Sequence, residues 1–208
     1  MNKYILKFDN HFIQPIFSFF WRLRNKNKDF SIISNNCWGG GIYQELKLPY
    51  LTPTIGLYFY PEDYILFLQD LKYYATEAKL TFTDLSKYKD NTKKHPYPIG
   101  LLDGKIEIHF LHYKSAEEAM QKWERRKKKI NWDNLFIKMD DRDGCSIEHI
   151  QKFDNLTYNK KILFTSKPYP YKSVIYLKKC AKQSCVPDIY TQKHLWRNDF
   201  NVIKWLNN

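Results

Sequence analysis

A short apolar run that leads into a cluster of glycines does most to constrain the fold of this chain. Residues 30–33 have the composition of a buried strand, and the turn-forming residues 34–36 follow at once. Gly39, Gly40 and Gly41 come next, and they precede a helical pattern that begins near Ile42. Open α/β sheets bind their ligands at such connections, where the carboxyl end of a strand leads into a helix. The sequence therefore predicts an α/β fold with a ligand site at a glycine-rich strand-to-helix loop.

A β-hairpin is the clearest local pattern further along the chain. Asp103-Gly104 supplies the positive φ that a two-residue turn needs, and apolar segments flank it at 98–102 and 105–111. Further apolar segments at 134–139, 161–164 and 173–177 alternate with helical patterns. No Pro/Gly/Ser-rich linker divides the chain. We therefore expect one α/β domain over residues 30–208, built as three layers around a single mixed sheet with one β-hairpin.

Residues 1–29 form a separate aromatic and basic segment. Its apolar part, residues 11–21, is interrupted by Gln14 and Pro15, is too short to span a bilayer, and is followed by no cleavage site for a signal peptidase. The usual role of such an amphipathic helix is to pack on the core. The alternative is peripheral contact of the aromatic and basic residues with the inner face of the membrane. Either reading predicts a cytoplasmic protein.

The charge of the chain limits its partners only broadly. A net charge of +12 is compatible with nucleic acid, anionic lipid or phosphorylated substrates. The lysines are spread along the sequence, and no helix-turn-helix, zinc-finger or RNA-binding signature is present, so we expect no nucleic-acid partner. The four cysteines lack zinc-ribbon spacing and are expected to be the reduced thiols of a cytosolic protein.

Several predicted strands end in residues of catalytic type. Cys37 follows the first strand, His112 follows the hairpin, and Asp143 follows the strand at 134–139. If those strand ends meet at one edge of the sheet, a thiol, an imidazole and a carboxylate share a pocket. Such a set suits acyl transfer, with backbone amides of the glycines as oxyanion donors. The alternative for Cys37 is a small buried residue at a tight turn.

A second set of residues suits a phosphorylated donor. Asp141 and Asp143 form a DxD pair, with which many glycosyltransferases hold Mg²⁺ or Mn²⁺ and a nucleotide diphosphate. An acidic turn before Gly144 is the alternative. Lys122, Arg125 and Arg126 lie on a predicted helix that begins with a capping box, and they can bind phosphate. Their alternative role is to oppose the negative end of the helix dipole.

The ordered succession of motifs resembles an uncharacterised bacterial family with a domain of unknown function, whose members are often labelled exopolysaccharide-biosynthesis proteins or acetyltransferases. The motifs are an NNC-x-GG loop at 35–40, an SPTIGL-like segment at 52–57 and a YPVG-like hairpin at 97–100. They continue with His-Tyr at 112–113, a helix that carries Lys-Trp at 122–123 and Arg-Arg at 125–126, and a strand that ends in Phe-Thr at 164–165. The resemblance covers roughly residues 30–177 and implies an α/β fold that works in capsule or exopolysaccharide assembly. The matching candidate substrate-binding residues are Asn35, Asn36, Gly39, Gly40, Lys122, Arg125, Arg126 and Thr165.

These patterns together predict a transferase, and the resemblance implies that it acts on a surface-polysaccharide precursor. The first reading is glycosyl or glycerophosphoryl transfer from a phosphorylated donor, such as a nucleotide-activated one held with Mg²⁺ or Mn²⁺. The second is acyl or acetyl transfer through Cys37 and His112. The third is a non-catalytic binding or assembly protein at the membrane.

Overall fold

A computed structural model describes residues 3–88 and 96–208, which form helices and two β-sheets. The helices are α1 (Lys3–Phe8), α2 (Gln14–Arg24), α3 (Trp38–Leu46), α4 (Pro61–Gln69), α5 (Leu71–Thr76), α6 (Ala116–Lys127), α7 (Ile147–Asp154) and α8 (Val202–Asn207). The strands are β1 (Ser31–Ser34), β2 (Leu80–Thr83), β3 (Ile99–Leu102), β4 (Ile106–His109), β5 (Leu135–Asp140), β6 (Lys161–Thr165) and β7 (Val174–Tyr176). A π-helical turn, Asp9–Ile13, joins α1 to α2.

The α/β class and the hairpin are confirmed, whereas the strands divide between two sheets instead of forming one mixed sheet. A parallel sheet has the order β1-β5-β6-β7, and an antiparallel sheet has the order β2-β3-β4. Asp103 and Gly104 form the β3–β4 turn with φ of 48° and 68°. The free edge of β4 pairs with Tyr58, whose backbone exchanges two hydrogen bonds of 2.9 Å with His109. The hairpin therefore finds its partners in β2 and residue 58 and not in the parallel sheet.

The parallel sheet is buried on both faces, which produces the expected three layers. Successive residues of a strand point to opposite faces. Ile33 and Ile137 accordingly belong to one apolar core, which includes residues of α4 to α7 and of the antiparallel sheet. Ile32 and Phe136 belong to a second core with Trp38 of α3 and residues of the C-terminal segment. This burial on both sides is typical of parallel sheets and explains the continuous apolar runs of the strands.

The three glycines lie in a helix and not in the predicted loop. Helix α3 already begins at Trp38, so the connection from β1 is short. A Cβ atom on Gly39 would lie 3.0 Å from the side chains of both Ile32 and Ser34, and one on Gly41 would lie 2.9 Å from the ring of Tyr190. The glycines thus allow α3 to approach β1 and the 188–192 segment closely, which is a packing requirement.

The N-terminal segment packs on the body of the protein through polar side chains and through Trp21, which stacks on Trp196, but it leaves most of its large apolar side chains exposed. Met1 and Asn2 of the predicted segment 1–29 lie outside the described residues. Asp9, Gln14 and Ser18 are buried, whereas the large apolar side chains of α1 and α2 are mostly exposed. Within residues 3–88 and 96–208, no helix combines the length and the hydropathy needed to cross a membrane.

Candidate functional site

A cleft lies beyond the carboxyl ends of β1 and β5, at the position that open α/β sheets use for ligands. Its larger cavity has a volume of about 480 Å³, and an adjoining recess has about 280 Å³. The two spaces share Cys37, His112 and Tyr190. The larger cavity is also lined by Asn36, Tyr58, Tyr97, Leu111, Arg142, Asp143, Asp188, Ile189 and Thr191. The recess is also lined by Gly40, Gln44, Tyr50, Ile55, Gly56, Tyr113, Lys122 and Arg126.

The structure brings Cys37, His112 and Asp143 to the same cavity, but it does not pair the thiol with the imidazole. The thiol of Cys37 donates a hydrogen bond to the carbonyl oxygen of Leu57 at 3.9 Å. Burial, reinforced by the charge of Asp188, raises the pKa of Cys37 to about 11. The thiol is therefore protonated at neutral pH, whereas nucleophilic cysteines have lowered pKa values. The cavity holds the three predicted groups without the activation that an acyl-enzyme mechanism needs.

The basic side of the cleft comes from α6, which begins after the N-cap Ser115 as its capping box predicts. Arg126 donates a 2.5 Å hydrogen bond to the hydroxyl of Tyr113 and lies 5.4 Å from the centre of the Tyr50 ring. Lys122 forms an ion pair of 2.5 Å with Glu118 on the same helix. The geometry places these two cations at the recess and leaves Arg125 exposed and outside both spaces.

Asn35 and Asn36 support the cleft through a buried ionic network. The side-chain amide of Asn35 donates to one oxygen of Asp140 at 3.1 Å, and that of Asn36 donates to the other at 2.6 Å. The ammonium group of Lys138 lies between them and donates to both asparagine oxygens, at 3.2 Å and 3.0 Å. The oxygen of Asn36 also accepts from the backbone N–H of Trp38 at 3.2 Å. Asn36 reaches the cavity, whereas Asn35 is buried and holds the network.

The two carboxylates of the DxD pair have different surroundings. One oxygen of Asp141 accepts hydrogen bonds from the backbone N–H and the hydroxyl of Ser166 at 2.7 Å and 3.1 Å, and the other accepts from the N–H of Val186 at 2.6 Å. Asp141 thus ties β6 to the 184–186 segment. Asp143 lines the larger cavity, and burial raises the pKa of its carboxyl group. In the described parts of the chain, no group of three or more His, Cys, Asp or Glu side chains is placed to hold a metal ion.

The remaining predicted residues separate into cleft and framework positions. Gly40 lines the recess, whereas Gly39 packs against β1. The hydroxyl of Thr165 donates to the carbonyl oxygen of Lys167 at 2.7 Å, and this buried side chain lines neither space. Gly40 therefore belongs to the candidate site, and Thr165 belongs to the framework.

Residues 8–207 match the family described as Domain of unknown function (DUF1919). The chain belongs to this family. A protein from Haemophilus influenzae, described as an uncharacterized protein, is 39% identical to the chain over 186 residues, which cover 87% of this chain and 85% of the relative. The resemblance to a bacterial family with a domain of unknown function is thus confirmed. The DUF1919 match includes α2, the whole cleft and all of α8.

Several residues of the DUF1919 cleft were missed by sequence reasoning. Asp188 and Tyr190 come from an irregular segment, and the hydroxyl of Tyr190 donates to the side chain of Gln44 at 3.1 Å. No periodic pattern marks such a segment, so only the folded structure places it. Lys138 did carry a signal: it interrupts an apolar run that reads as a buried strand, and a buried cation requires a partner. Asp140, two positions along the same strand and on the same face, is that partner.

Proposed function

We propose that this DUF1919 protein is a transferase that binds a phosphorylated donor in the cleft and transfers a glycosyl or glycerophosphoryl group to a precursor of capsule or exopolysaccharide. The observation that carries the proposal is the arrangement of charge. Lys122 and Arg126 face the recess, while His112 and Asp143 line the cavity that adjoins it. Cations suit a phosphate leaving group, and an imidazole or a carboxylate suits proton transfer from an acceptor.

The proposed donor site is the recess. A guanidinium group binds phosphate through paired, charge-assisted hydrogen bonds, and a lysine adds a compact positive charge. Arg126 is held in place by Tyr113 and Tyr50, so it needs little ordering when a phosphate arrives. The aromatic rings of Tyr50 and Tyr190 at the same recess offer stacking surfaces for a base or a sugar. A nucleotide-activated donor combines these two chemistries.

The proposed acceptor site is the larger cavity. In the reaction, the acceptor hydroxyl loses its proton to His112 or Asp143, and its oxygen forms a bond to the transferred carbon or phosphorus. The bond from that atom to the donor's leaving phosphate breaks at the same centre, and Lys122 and Arg126 stabilise the charge that the phosphate gains. The raised pKa of Asp143 brings its carboxyl group closer to the range in which proton transfer is efficient. If Mg²⁺ or Mn²⁺ takes part, Asp143 of the DxD pair would bind it, and Asp188 is a second carboxylate of the same cavity.

The polysaccharide setting is supported by the labels often carried by the family that the sequence motifs resemble. Acyl or acetyl transfer is the second candidate function, and the presence of Cys37 and His112 in one cavity favours it. Two observations count against it: Cys37 bonds to Leu57, and burial raises the pKa of its thiol. We therefore rank phosphoryl-activated transfer first.

Binding measurements on matched variants test the proposal. Uridine diphosphate, a nucleotide sugar, cytidine diphosphate glycerol and coenzyme A are titrated by calorimetry, with and without Mg²⁺. We expect a nucleotide diphosphate to bind, and we expect Arg126→Gln to weaken it about tenfold or more, because a charged hydrogen bond contributes about 1.5–3 kcal/mol. Arg125→Gln is the control, since it removes the same charge from the same helix outside the cleft. Equal losses in the two variants, or binding by coenzyme A alone, would reject the donor assignment.

A further inference from the structure

The N-terminal helices carry an apolar face that the rest of the chain leaves uncovered. Along α1, the π-helical turn and α2, six side chains are between 46% and 67% exposed: Phe8, Phe12, Ile16, Phe19, Phe20 and Leu23. Their spacing of three or four residues, with one adjacent pair, places them on one side of the helix, which we call the aromatic face. Helices on globular proteins ordinarily turn such a face inward.

Specific polar contacts hold the opposite face against the body and fix this orientation. The guanidinium of Arg197 forms an ion pair with Asp9 and also donates to Gln14 at 2.9 Å. The hydroxyl of Ser18 bonds to the carboxylate of Glu45. Arg197 and Asp9 are almost fully buried, so rotating the helix would leave buried charges without partners, which is strongly unfavourable. The outward direction of the aromatic face is therefore built into the fold.

The charges at the end of this face select its partner. Arg24, Lys26 and Lys28 are exposed directly after the last apolar position, and Arg24 lies 5.7 Å from the centre of the Phe20 ring. Lys7 adds an exposed cation near the other end. Aromatic and aliphatic side chains beside a basic cluster are typical of helices that lie in the interface of anionic membranes. A second copy of the chain would instead bring two equally basic surfaces together.

We propose that α1 and α2 lie along the surface of an anionic lipid bilayer, with the aromatic face inserted and Arg24, Lys26 and Lys28 at the headgroups. The same helices are bonded to the cleft. Asn10 donates to the carbonyl oxygen of Thr191, which lines the larger cavity, at 3.1 Å. Glu45, which binds Ser18, directly follows Gln44 of the recess. A bilayer bound by these helices thus lies beside the segments that form the cleft wall, whatever reaction the cleft performs.

Cosedimentation of the full chain with vesicles tests this proposal. The probes are vesicles of phosphatidylcholine alone and of phosphatidylcholine mixed with phosphatidylglycerol. We expect binding to the mixed vesicles to be at least about tenfold stronger than to phosphatidylcholine, because each cation near an anionic surface contributes about fivefold and three are present. Phe12→Ser/Phe19→Ser should weaken binding by at least about tenfold, since two inserted rings are lost. Both side chains are exposed, so the variant keeps its packing.

Two controls distinguish binding through the aromatic face from nonspecific adsorption to vesicles. Leu85→Ser/Ile147→Ser removes apolar side chains that are 63% and 43% exposed elsewhere, and it should bind like the unchanged protein. Arg24→Glu/Lys26→Glu/Lys28→Glu should abolish the preference for phosphatidylglycerol, whereas Lys128→Glu/Lys129→Glu/Lys182→Glu, with the same change in net charge, should retain most of it. Unchanged binding of the Phe12/Phe19 variant overturns the proposal. The proposal is also overturned if sedimentation velocity without lipid shows a dimer that the Phe12/Phe19 variant dissociates. The aromatic face would then bind a second copy of the chain.

Discussion

The ammonium nitrogen of Lys138 lies 2.6 Å from a carboxylate oxygen of Asp140, and neither side chain has any exposed surface. Burial lowers the pKa of Lys138 despite the attraction of Asp140. Burial alone would raise the pKa of Asp140, but Lys138 and the two asparagine amides outweigh it and hold that pKa below its usual value. Behind Asn36 of the cavity there is therefore a fully buried ion pair, and each of its two charges is compensated by the other.

Breaking this pair should be more damaging than removing it. Lys138→Met leaves a buried carboxylate without its cation, and we expect it to lower the free energy of unfolding by about 3–5 kcal/mol. Lys138→Met/Asp140→Leu should recover a large part of that loss, because no unpaired charge remains. Urea unfolding of Lys138→Met, of Asp140→Leu and of the double variant gives the coupling free energy between the two charges. Losses that simply add would show that the two charges are independent.

The adjacent glycines of α3 should respond differently to alanine. A methyl group at Gly39 meets Ile32 and Ser34 at 3.0 Å, so Gly39→Ala should lower the free energy of unfolding by about 1–3 kcal/mol. A methyl group at Gly40 meets only the end of the Ile55 side chain, at 3.3 Å. Gly40→Ala should therefore be close to neutral, because the helix propensity of alanine offsets the crowding. Urea unfolding measures both, and equal effects would mean that α3 does not require a close approach to β1.

Local chemistry made part of this fold predictable. Asp103-Gly104 and the Ser115 cap act within a few residues, so the hairpin and α6 could be placed from the sequence. The rule that parallel strand ends meet predicted that Cys37 and Asp143 share a cavity, whereas His112 reaches it from the end of β4 in the separate antiparallel sheet. The structural role of Gly39 depends on Ile32, and the orientation of α2 depends on Arg197, far away in the chain. Such tertiary contacts leave no periodic pattern in a single sequence.

The carboxylate of Glu107 should make stability depend on pH in the acid range. It lies 2.6 Å from the Nε2 atom of His109 and accepts a hydrogen bond from Ser86. Burial alone would raise its pKa, but these contacts outweigh it and lower the pKa below the usual value. A carboxyl group whose pKa is depressed by folding contributes stability above its unfolded pKa, about 4.3, and loses it as the pH falls through the folded pKa.

The comparison of the unchanged protein with Glu107→Gln tests whether folding lowers the pKa of Glu107. We expect the difference in free energy of unfolding to be constant near neutral pH and to shrink as the pH falls below about 4.3. Urea unfolding at a series of pH values measures it. A difference that grows on acidification would mean that folding raises the pKa of Glu107.

The thiol of Cys37 should react slowly at neutral pH, and this decides between the two transferase mechanisms. Burial and the charge of Asp188 raise its pKa to about 11, and only the thiolate attacks an alkylating reagent. The rate of iodoacetamide labelling at Cys37, followed by mass spectrometry of its peptide, should therefore keep rising about tenfold for each pH unit up to the folded pKa. Cys37→Ser identifies the peptide and should leave donor binding intact, because the recess cations are unchanged. A rate that levels off near neutral pH would reveal an activated thiolate and would favour acyl transfer over a phosphorylated donor.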